Sequence, residues 1–569
     1  MAMVSPKILE LSHVAPYSVT TTTNFTLPLT SFDINWFKFP PVQTLFFYSL
    51  PKDTTFFINS LLPKLKHSLS LTLQHFLPLL TKNLLVKVKD SLLQSNAVIL
   101  LCQLSYMVSE PLTTVSNGLH DPTVPNSMPL SSNHDLSTLP TVPSTTNPTP
   151  PLDRSPTIHV SLNTLPLPNL LQPLAGKLTW PQHSPKPIAL YTPGDVVSLS
   201  IAESNADFDT LFGNKPFQAS KVRPLVSPLH VSEIGVSVMT LQITVFPNKG
   251  FCIGLTTHHG LVDGKSAAMF MKSWAYLSSQ ENPPLPPLLP EKLTPFYDRT
   301  VIEDPSGFEM KVLNHIIGNN PGSTSSDCRN NPKLFEFESF QSSDLDELYR
   351  AIFELSRSDI DKLRRKVPNS NPNNLHLSSF VLTYAYIFDC FLKATNEDKT
   401  KSKVFILFAA DYRDRLTPPV PKNYLGNCLV SKINIDDMRE YVICKEKEGV
   451  DSFSAIVMIV SDLVKSVGKE KDLYCEIEKG LVTFLMTVSD NSCHVGVAGS
   501  PSLGFYNTDF GWGRPEKFVV VSIENGAISM AECGDGSGGI EVGLVLKKHQ
   551  MDCFASLFHN GLSHNYNIV

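Results

Sequence analysis

Leu61, Leu65, Leu69 and Leu73 fall four residues apart in FINSLLPKLKHSLSLTLQHFL (57–77), the spacing that lines one face of a helix, and predict an amphipathic helix packed on a core. Strand-like runs follow at DVVSLSIAES and GVSVMTLQITVF. The second meets GFCIGLTTHH through Pro247, Asn248, Lys249 and Gly250, a turn signal that predicts a β-hairpin. In GFCIGLTTHH, Phe251, Ile253 and Leu255 alternate along one strand face. Directly after it Ala267, Phe270, Met271 and Trp274 take helical spacing, so a strand, a tight turn at Gly260 to Gly264 and a helix are expected in succession. Toward the C-terminus, SRSDIDKLRRKV and NNLHLSSFVLTYAYIFDCFLKA predict helices, and SKVFILFAADYRDR and EKFVVVSI predict strands. GGIEVGLVLKKHQMDCFASLFHNGL predicts a strand leading into a helix. The mixture indicates an α/β chain in two halves, with residues 281–300, opening on the Pro-rich ENPPLPPLLPEKLTP, as an extended crossover.

One stretch breaks the pattern. From Met107 through Thr179 there is no Phe, Tyr or Trp, and Ser, Thr, Pro and Asn dominate. Such a segment buries too little apolar surface to offset the conformational entropy of folding, about 1 to 2 kcal/mol per residue for the backbone. Residues 80–172 are therefore expected to be a disordered insertion in an N-terminal domain (1–280), with a C-terminal domain at 301–569.

The rest of the composition narrows the class. The 569 residues are 42% hydrophobic and 18% charged, with a net charge of −6, which fits a soluble globular protein of more than one domain. Phosphate binding needs clustered Lys and Arg. The one dense basic run, Lys362 to Lys366, reads as a solvated helix face, so neither nucleic acid nor an anionic membrane is expected as a partner. Ten cysteines stand without CxxC spacing, which favours free thiols in a reducing compartment. With no secretory or transit pattern at the start and no apolar run of about 18 residues, a cytosolic monomer is expected.

The candidate chemistry lies in TTHHGLVDGKS (256–266). His259 stands where the strand ends, a position from which a side chain can project into a cleft. A single histidine there is normally a core residue satisfied by a backbone carbonyl. A metal site would want HExxH or further paired ligands, and none stand nearby in sequence. General-base catalysis is the third reading, since an imidazole with a reference pKa of about 6.5 can take a proton from a hydroxyl near neutral pH. Asp263 could orient the ring, or it could turn away and pin the loop to a distant arginine, and the structural role is favoured. No GxSxG nucleophile is present, and Cys252 lies within the strand. Without a covalent intermediate, base and two substrates must meet in one complex. A second dense segment, YNTDFGWGRPEK (506–517), suggests a glycine-bounded turn that buries an indole. Asp509, Phe510 and Gly511 match a kinase tripeptide, but no GxGxxG or HRD loop accompanies them.

Together HHGLVDG and DFGWGRP resemble the plant BAHD acyltransferases, which move an acyl group from coenzyme A to a hydroxyl or amine. The likeness extends to LPLTSFDINWFKFPPVQTLFFYSLP (27–51), PLAGKLTWP (173–181), AADYRDRLTPP (409–419), NYLGNC (423–428) and DGSGGIEVGLVL (535–546). It implies two chloramphenicol-acetyltransferase-like α/β domains with the active site in a channel between them. It also implies His259 as general base, acyl-CoA as co-substrate, and no bound cofactor or metal. Asp263 would be salt-bridged to Arg413 or Arg415. Asp509, Gly511, Trp512 and Gly513 would support the coenzyme A channel, with a proton-acceptor role sometimes given to the aspartate. FDxxWxxFPPVxxLFFY and NYLGNC look like the branch that malonylates phenolic and flavonoid glucosides, which makes malonyl-CoA the expected donor.

Three departures stand out. Leu425 replaces the usual Phe. Ser502 occupies a place that is often basic, which leaves another acyl group open. The family run HFxPLAGxLxWP is split here between HFLPLL (75–80) and QPLAGKLTWP (172–181). A non-catalytic homologue, or a condensation domain sharing HHxxxD, is the alternative from another class; the condensation domain would lack DFGWG. Unstructured loops beyond about 15 residues are uncommon in compact domains, so deleting residues 80–171 is expected to leave or improve soluble expression and activity. Loss of folding in the deletion variant, followed by circular dichroism, would overturn that expectation.

Overall fold

The computed structural model describes residues 5–17, 24–76, 174–181, 184–281, 283–285, 287–304, 307–318, 347–368, 375–395, 403–468, 473–487, 492–523 and 527–563. All belong to one compact unit drawn from residues 1–79 and 169–569. The expected insertion at 80–172 lies outside the described residues.

Among the described residues, three sheets organise this unit. The first runs Lys7–Val14, Val197–Glu203, Met239–Phe246, Gly250–Thr257, Val42–Ser49 and Lys517–Val520. The second runs Leu429–Ile433, Lys403–Asp411, Ser492–Ala498, Ala527–Glu532, Ile540–Lys547, Leu348–Leu355 and Phe217–Gln218. A smaller third sheet has five strands, among them Phe25–Pro28, Ile188–Tyr191 and Lys177–Thr179. Neither large sheet is drawn wholly from one half of the chain. Lys517–Val520 reaches back to pair antiparallel with Val42–Ser49, and Phe217–Gln218 pairs with Leu348–Leu355. Each exchanged strand covers an edge that would otherwise present unpaired backbone groups.

The hairpin from Met239–Phe246 to Gly250–Thr257 is antiparallel, with Phe246 opposite Gly250 and Asn248 in the left-handed region at φ 60°. Gly250–Thr257 is a central strand, buried on both faces. Phe251, Ile253 and Leu255 join Leu241, Ile243 and Val245 in the main core. Cys252, from the opposite face, packs with Phe47, Leu45 and Phe208 in a second cluster. The period of two therefore feeds two cores from one strand.

Helix Leu62–His75 follows a π-helical turn, Phe57–Leu61. The sequence stripe holds at Leu65, Leu69 and Leu73, all buried, but Leu61 is only half-buried and Leu62 takes its place. The wider π turn rotates the preceding residues out of the 3.6-residue register. Helix Gly264–Ser279 packs across this helix and buries Trp274 completely. The indole Nε1–H donates to Leu65 O and Ser68 Oγ, both at 3.1 Å, and its ring meets Phe510 edge-on at 5.0 Å. A separate cluster in the C-terminal half packs helix Ser379–Ala394 against the second sheet and against helices Ser452–Ser466 and Lys548–Ser563. The Lys362–Lys366 run lies on helix Arg357–Lys366, where Lys362 pairs with Asp359 and Arg364 with Asp361.

Trp274 joins two helices and the DFGWG turn, so Trp274→Ala is expected to destabilise the protein by about 3 to 5 kcal/mol. Trp274→Phe, which keeps a ring but loses the donor, is expected to do less harm. Denaturant midpoints measure both, and a Trp274→Ala midpoint equal to that of the parent would contradict the packing role.

Candidate active site

His258 and His259 follow the central strand directly, yet their surroundings differ. His258 is buried, its Nδ1 accepts from the Gly260 N–H at 3.0 Å, and burial pushes its pKa down to about 3, with repulsion from His259 and Lys38 adding to the effect. It is a neutral structural residue that shapes the turn. His259 retains partial exposure. Its ring lies flat on Trp36, with centroids 4.3 Å apart and planes 11° from parallel, and meets Phe39 edge-on at 5.1 Å. Its Nδ1 is buried and makes no hydrogen bond to another residue among those described. Burial lowers the proton affinity of the ring, while its own main-chain carbonyl, the charge of Asp263 and the side chain of Asn427 oppose that shift.

Asp263 does not face the imidazole as a triad member would. It is the N-cap of helix Gly264–Ser279, its Oδ1 accepting from Ser266 N at 2.8 Å. Its Oδ2 accepts from Arg413 Nη2 at 2.8 Å, with side-chain exposures of 1% and 0%. Arg413 also donates to the carbonyls of Gly426 at 2.8 Å and Tyr424 at 3.2 Å, and to Asp411 Oδ1 at 3.0 Å. Arg415 is not part of this pair. It is exposed, donates to the Asp411 carbonyl and lies over the Tyr412 ring.

The network extends to residues whose roles the sequence left unassigned. Arg299 lies 4.9 Å over the Tyr424 ring, donates to the Tyr424 hydroxyl, and sits 3.7 Å from Asp33. Lys265 pairs with Asp411 at 3.0 Å. Three carboxylates, Asp33, Asp263 and Asp411, thus balance Arg299, Arg413 and Lys265. Buried charges persist when they are paired in this way. Asp33 Oδ1 accepts from Asn427 N at 2.9 Å and Nδ2 at 3.0 Å, and Asn427 Nδ2 also donates to His259 O at 2.7 Å. Gly426 is required between them. Its φ is 146°, and an added Cβ would lie 2.0 Å from Arg299 Nη1. The signals for Asp33, Tyr424 and Asn427 were present in FDINW and NYLGNC, but only the fold joins those segments; Arg299 had no sequence signal.

DFGWG forms a turn in which Asp509 Oδ1 accepts from Gly511 N at 2.8 Å and Gly513 N at 3.0 Å, both glycines having positive φ. The aspartate is exposed and holds the turn closed. No hydrogen bond, ion pair or ring contact joins it to His259 among the described residues. Phe510 is buried and stacks on Trp512 at 5.6 Å; Trp512 in turn meets Phe251 at 5.9 Å. Phe510 also meets Tyr48 at 5.8 Å, and the Tyr48 hydroxyl donates to Thr508 O at 3.0 Å. The turn therefore grips Phe251 and Trp274, on the strand before His259 and the helix after it.

An imidazole stacked on an indole and backed by a buried, paired carboxylate and guanidinium can exchange a proton with a bound hydroxyl. Among the described residues no group of three or more His, Cys, Asp or Glu is placed to hold a metal ion. No helix among them is long and apolar enough to cross a membrane.

The chain is similar to known transferases. A model of the family described as "Transferase family" matches residues 126–560. Phenolic glucoside malonyltransferase 1 of Arabidopsis thaliana is 34% identical over 570 residues, covering 98% of each chain. Malonyl-CoA:anthocyanidin 5-O-glucoside-6''-O-malonyltransferase of the same plant is 34% identical over 562 residues, again covering 98% of each. The crystal structure of vinorine synthase aligns over 97% of this chain and 98% of its own, with a TM-score of 0.55 at 15% identity, which is a likeness of fold. From the family match and these full-length relatives, the chain belongs to the transferase family of BAHD acyltransferases.

Proposed function

We propose that the protein transfers a malonyl group from malonyl-CoA to a sugar hydroxyl of a phenolic or flavonoid glucoside, with His259 as general base and no acyl-enzyme. The observation that carries this reading is the contrast between the two adjacent histidines. His258 is buried in the core and held neutral, whereas His259, one residue on, retains partial exposure just past the end of a central strand. The full-length likeness to enzymes named as glucoside malonyltransferases supports the substrate class.

In this mechanism the free ring nitrogen of His259 takes the proton of the acceptor hydroxyl as its oxygen attacks the thioester carbonyl. A tetrahedral intermediate forms, its C–S bond breaks, and the imidazolium returns the proton to the departing sulfur. The products are the malonyl ester and free coenzyme A. Base catalysis of this kind contributes about 10²- to 10⁴-fold, and holding both substrates beside one ring supplies a further share through proximity. Asp263 and Arg413 act by holding the turn, and the DFGWG segment by bracing the strand and helix on either side of it.

His259→Ala is expected to lower kcat by at least about 100-fold while the fold persists, measured as thioester consumption across a matrix of acyl-CoAs, malonyl first, against flavonoid and simple phenolic glucosides. Retention of most of the rate would sink the base assignment, and a preference for an aromatic acyl-CoA would replace malonyl. The pH dependence has a defined sign. Burial depresses the affinity of the ring for its proton, so the neutral, active form extends below the ordinary histidine midpoint of about 6.5. The kcat/KM profile should therefore be flat at pH 7 to 8 and fall only on acidification below that midpoint. A rising limb centred above pH 7 would contradict it.

A further inference from the structure

The FDINW segment takes no part in the steps above, yet it touches His259 in two ways. Helix Ser31–Asn35 is a single turn closed by a capping box between Thr30 and Asp33. That box uses Asp33 Oδ2, leaving Oδ1 to accept both donors of Asn427. The Asn427 carboxamide has two hydrogens. One goes to Asp33 and the other to the His259 carbonyl at 2.7 Å. Both neighbours are acceptors, so the amide orientation is settled by its surroundings. In consequence the buried Asn427 Oδ1 makes no well-aligned hydrogen bond among the described residues, while the carboxamide as a whole raises the proton affinity of the His259 ring.

Trp36 follows Asp33 by three residues, on the same side of the turn. Its indole covers one face of the imidazole at 4.3 Å and 11°, and its Nε1 is buried without a partner among the described residues. Stacking this flat restricts rotation of the ring. An indole face also attracts a cation more than a neutral ring, so its effect grows as the imidazole gains its proton.

We propose that Trp36, together with Asp33 acting through Asn427, is the positioning element of His259: the indole sets the ring plane and supports the imidazolium, and the carboxamide fixes the main-chain carbonyl from which the ring hangs. The inference rests on His259 being the general base. The charged and titratable groups around the ring are Asp263, paired with Arg413; His258, under the influence of Lys38; and Asp33, near Arg299. All of these are left intact by a change at Trp36. Replacement of the indole by leucine, which keeps an apolar side chain over the ring, should therefore act through the lost stacking and lower the proton affinity of the imidazole.

The test uses the full-length chain with Trp36→Leu, Trp36→Phe and Asn427→Ala, and two readouts. The first is the titration midpoint of the His259 ring by NMR with 13C-labelled histidine, its signal assigned by its loss in His259→Ala. The second is kcat and KM for malonyl-CoA. Trp36→Leu is expected to move the midpoint down by about half a pH unit or more and to lower kcat roughly tenfold with KM little changed. Trp36→Phe, which keeps a stacking ring, should recover most of both. Asn427→Ala should lower kcat without raising KM, and circular dichroism would separate this from unfolding. An unchanged midpoint and kcat in Trp36→Leu overturns the proposal, as does a raised KM shared equally by the Leu and Phe variants. An active His259→Ala would fell the general-base reading itself, whereas an inactive one beside an unaffected Trp36→Leu would fell the positioning role alone.

Discussion

The arrangement depends on the buried ion pair between Asp263 and Arg413. Removing one partner of such a pair leaves an uncompensated charge in the core and typically costs about 3 to 5 kcal/mol, whereas replacing both by apolar groups can be neutral. Its value here is geometric. Asp263 simultaneously caps helix Gly264–Ser279 and receives Arg413, and Arg413 holds the carbonyls of Tyr424 and Gly426. One guanidinium thereby ties the turn that carries His259 to the segment that presents Asn427. An apolar substitute would fill the space without specifying either direction.

The two sequence motifs meet mechanically, not chemically. HHGLVDG supplies the ring, and DFGWG contributes a turn stapled by Asp509 to its own backbone. Phe510 and Trp512 wedge against Tyr48, Phe251 and Trp274. Those aromatics lie on the strand preceding the histidine, the strand beside it and the helix following it. The motif near the end of the chain thus stiffens the frame of a side chain some 250 positions earlier. A strand exchanged from the same region, Lys517–Val520, closes the edge of the first sheet.

Adjacent imidazoles in different surroundings illustrate how environment sets proton affinity. His258 points into the core, where desolvation holds it neutral across the physiological range. His259, one residue on, is partly exposed and has a stacking partner. Alternation along an extended backbone sends consecutive side chains to opposite sides, so HH at a strand end places one ring in the core and leaves the other partly exposed.

By itself the sequence determined what repeats locally: the helix expected over 57–77, which forms at Leu62–His75, the hairpin turning at Asn248, the strand, turn and helix around the histidines, and the glycine-bounded turn at 511–513. These follow from side-chain periodicity and from glycine's tolerance of positive φ, which act over a few residues. The π turn at 57–61 displaced Leu61 from the expected stripe because its wider winding has no clear sequence signal. Tertiary structure alone decided that Arg413, rather than Arg415 two positions away, reaches Asp263, and that Asp33, Trp36, Arg299 and Asn427 converge on the same loop. Those pairings join segments far apart in the chain, and their energies exist only once burial has removed the water that would otherwise satisfy each group separately.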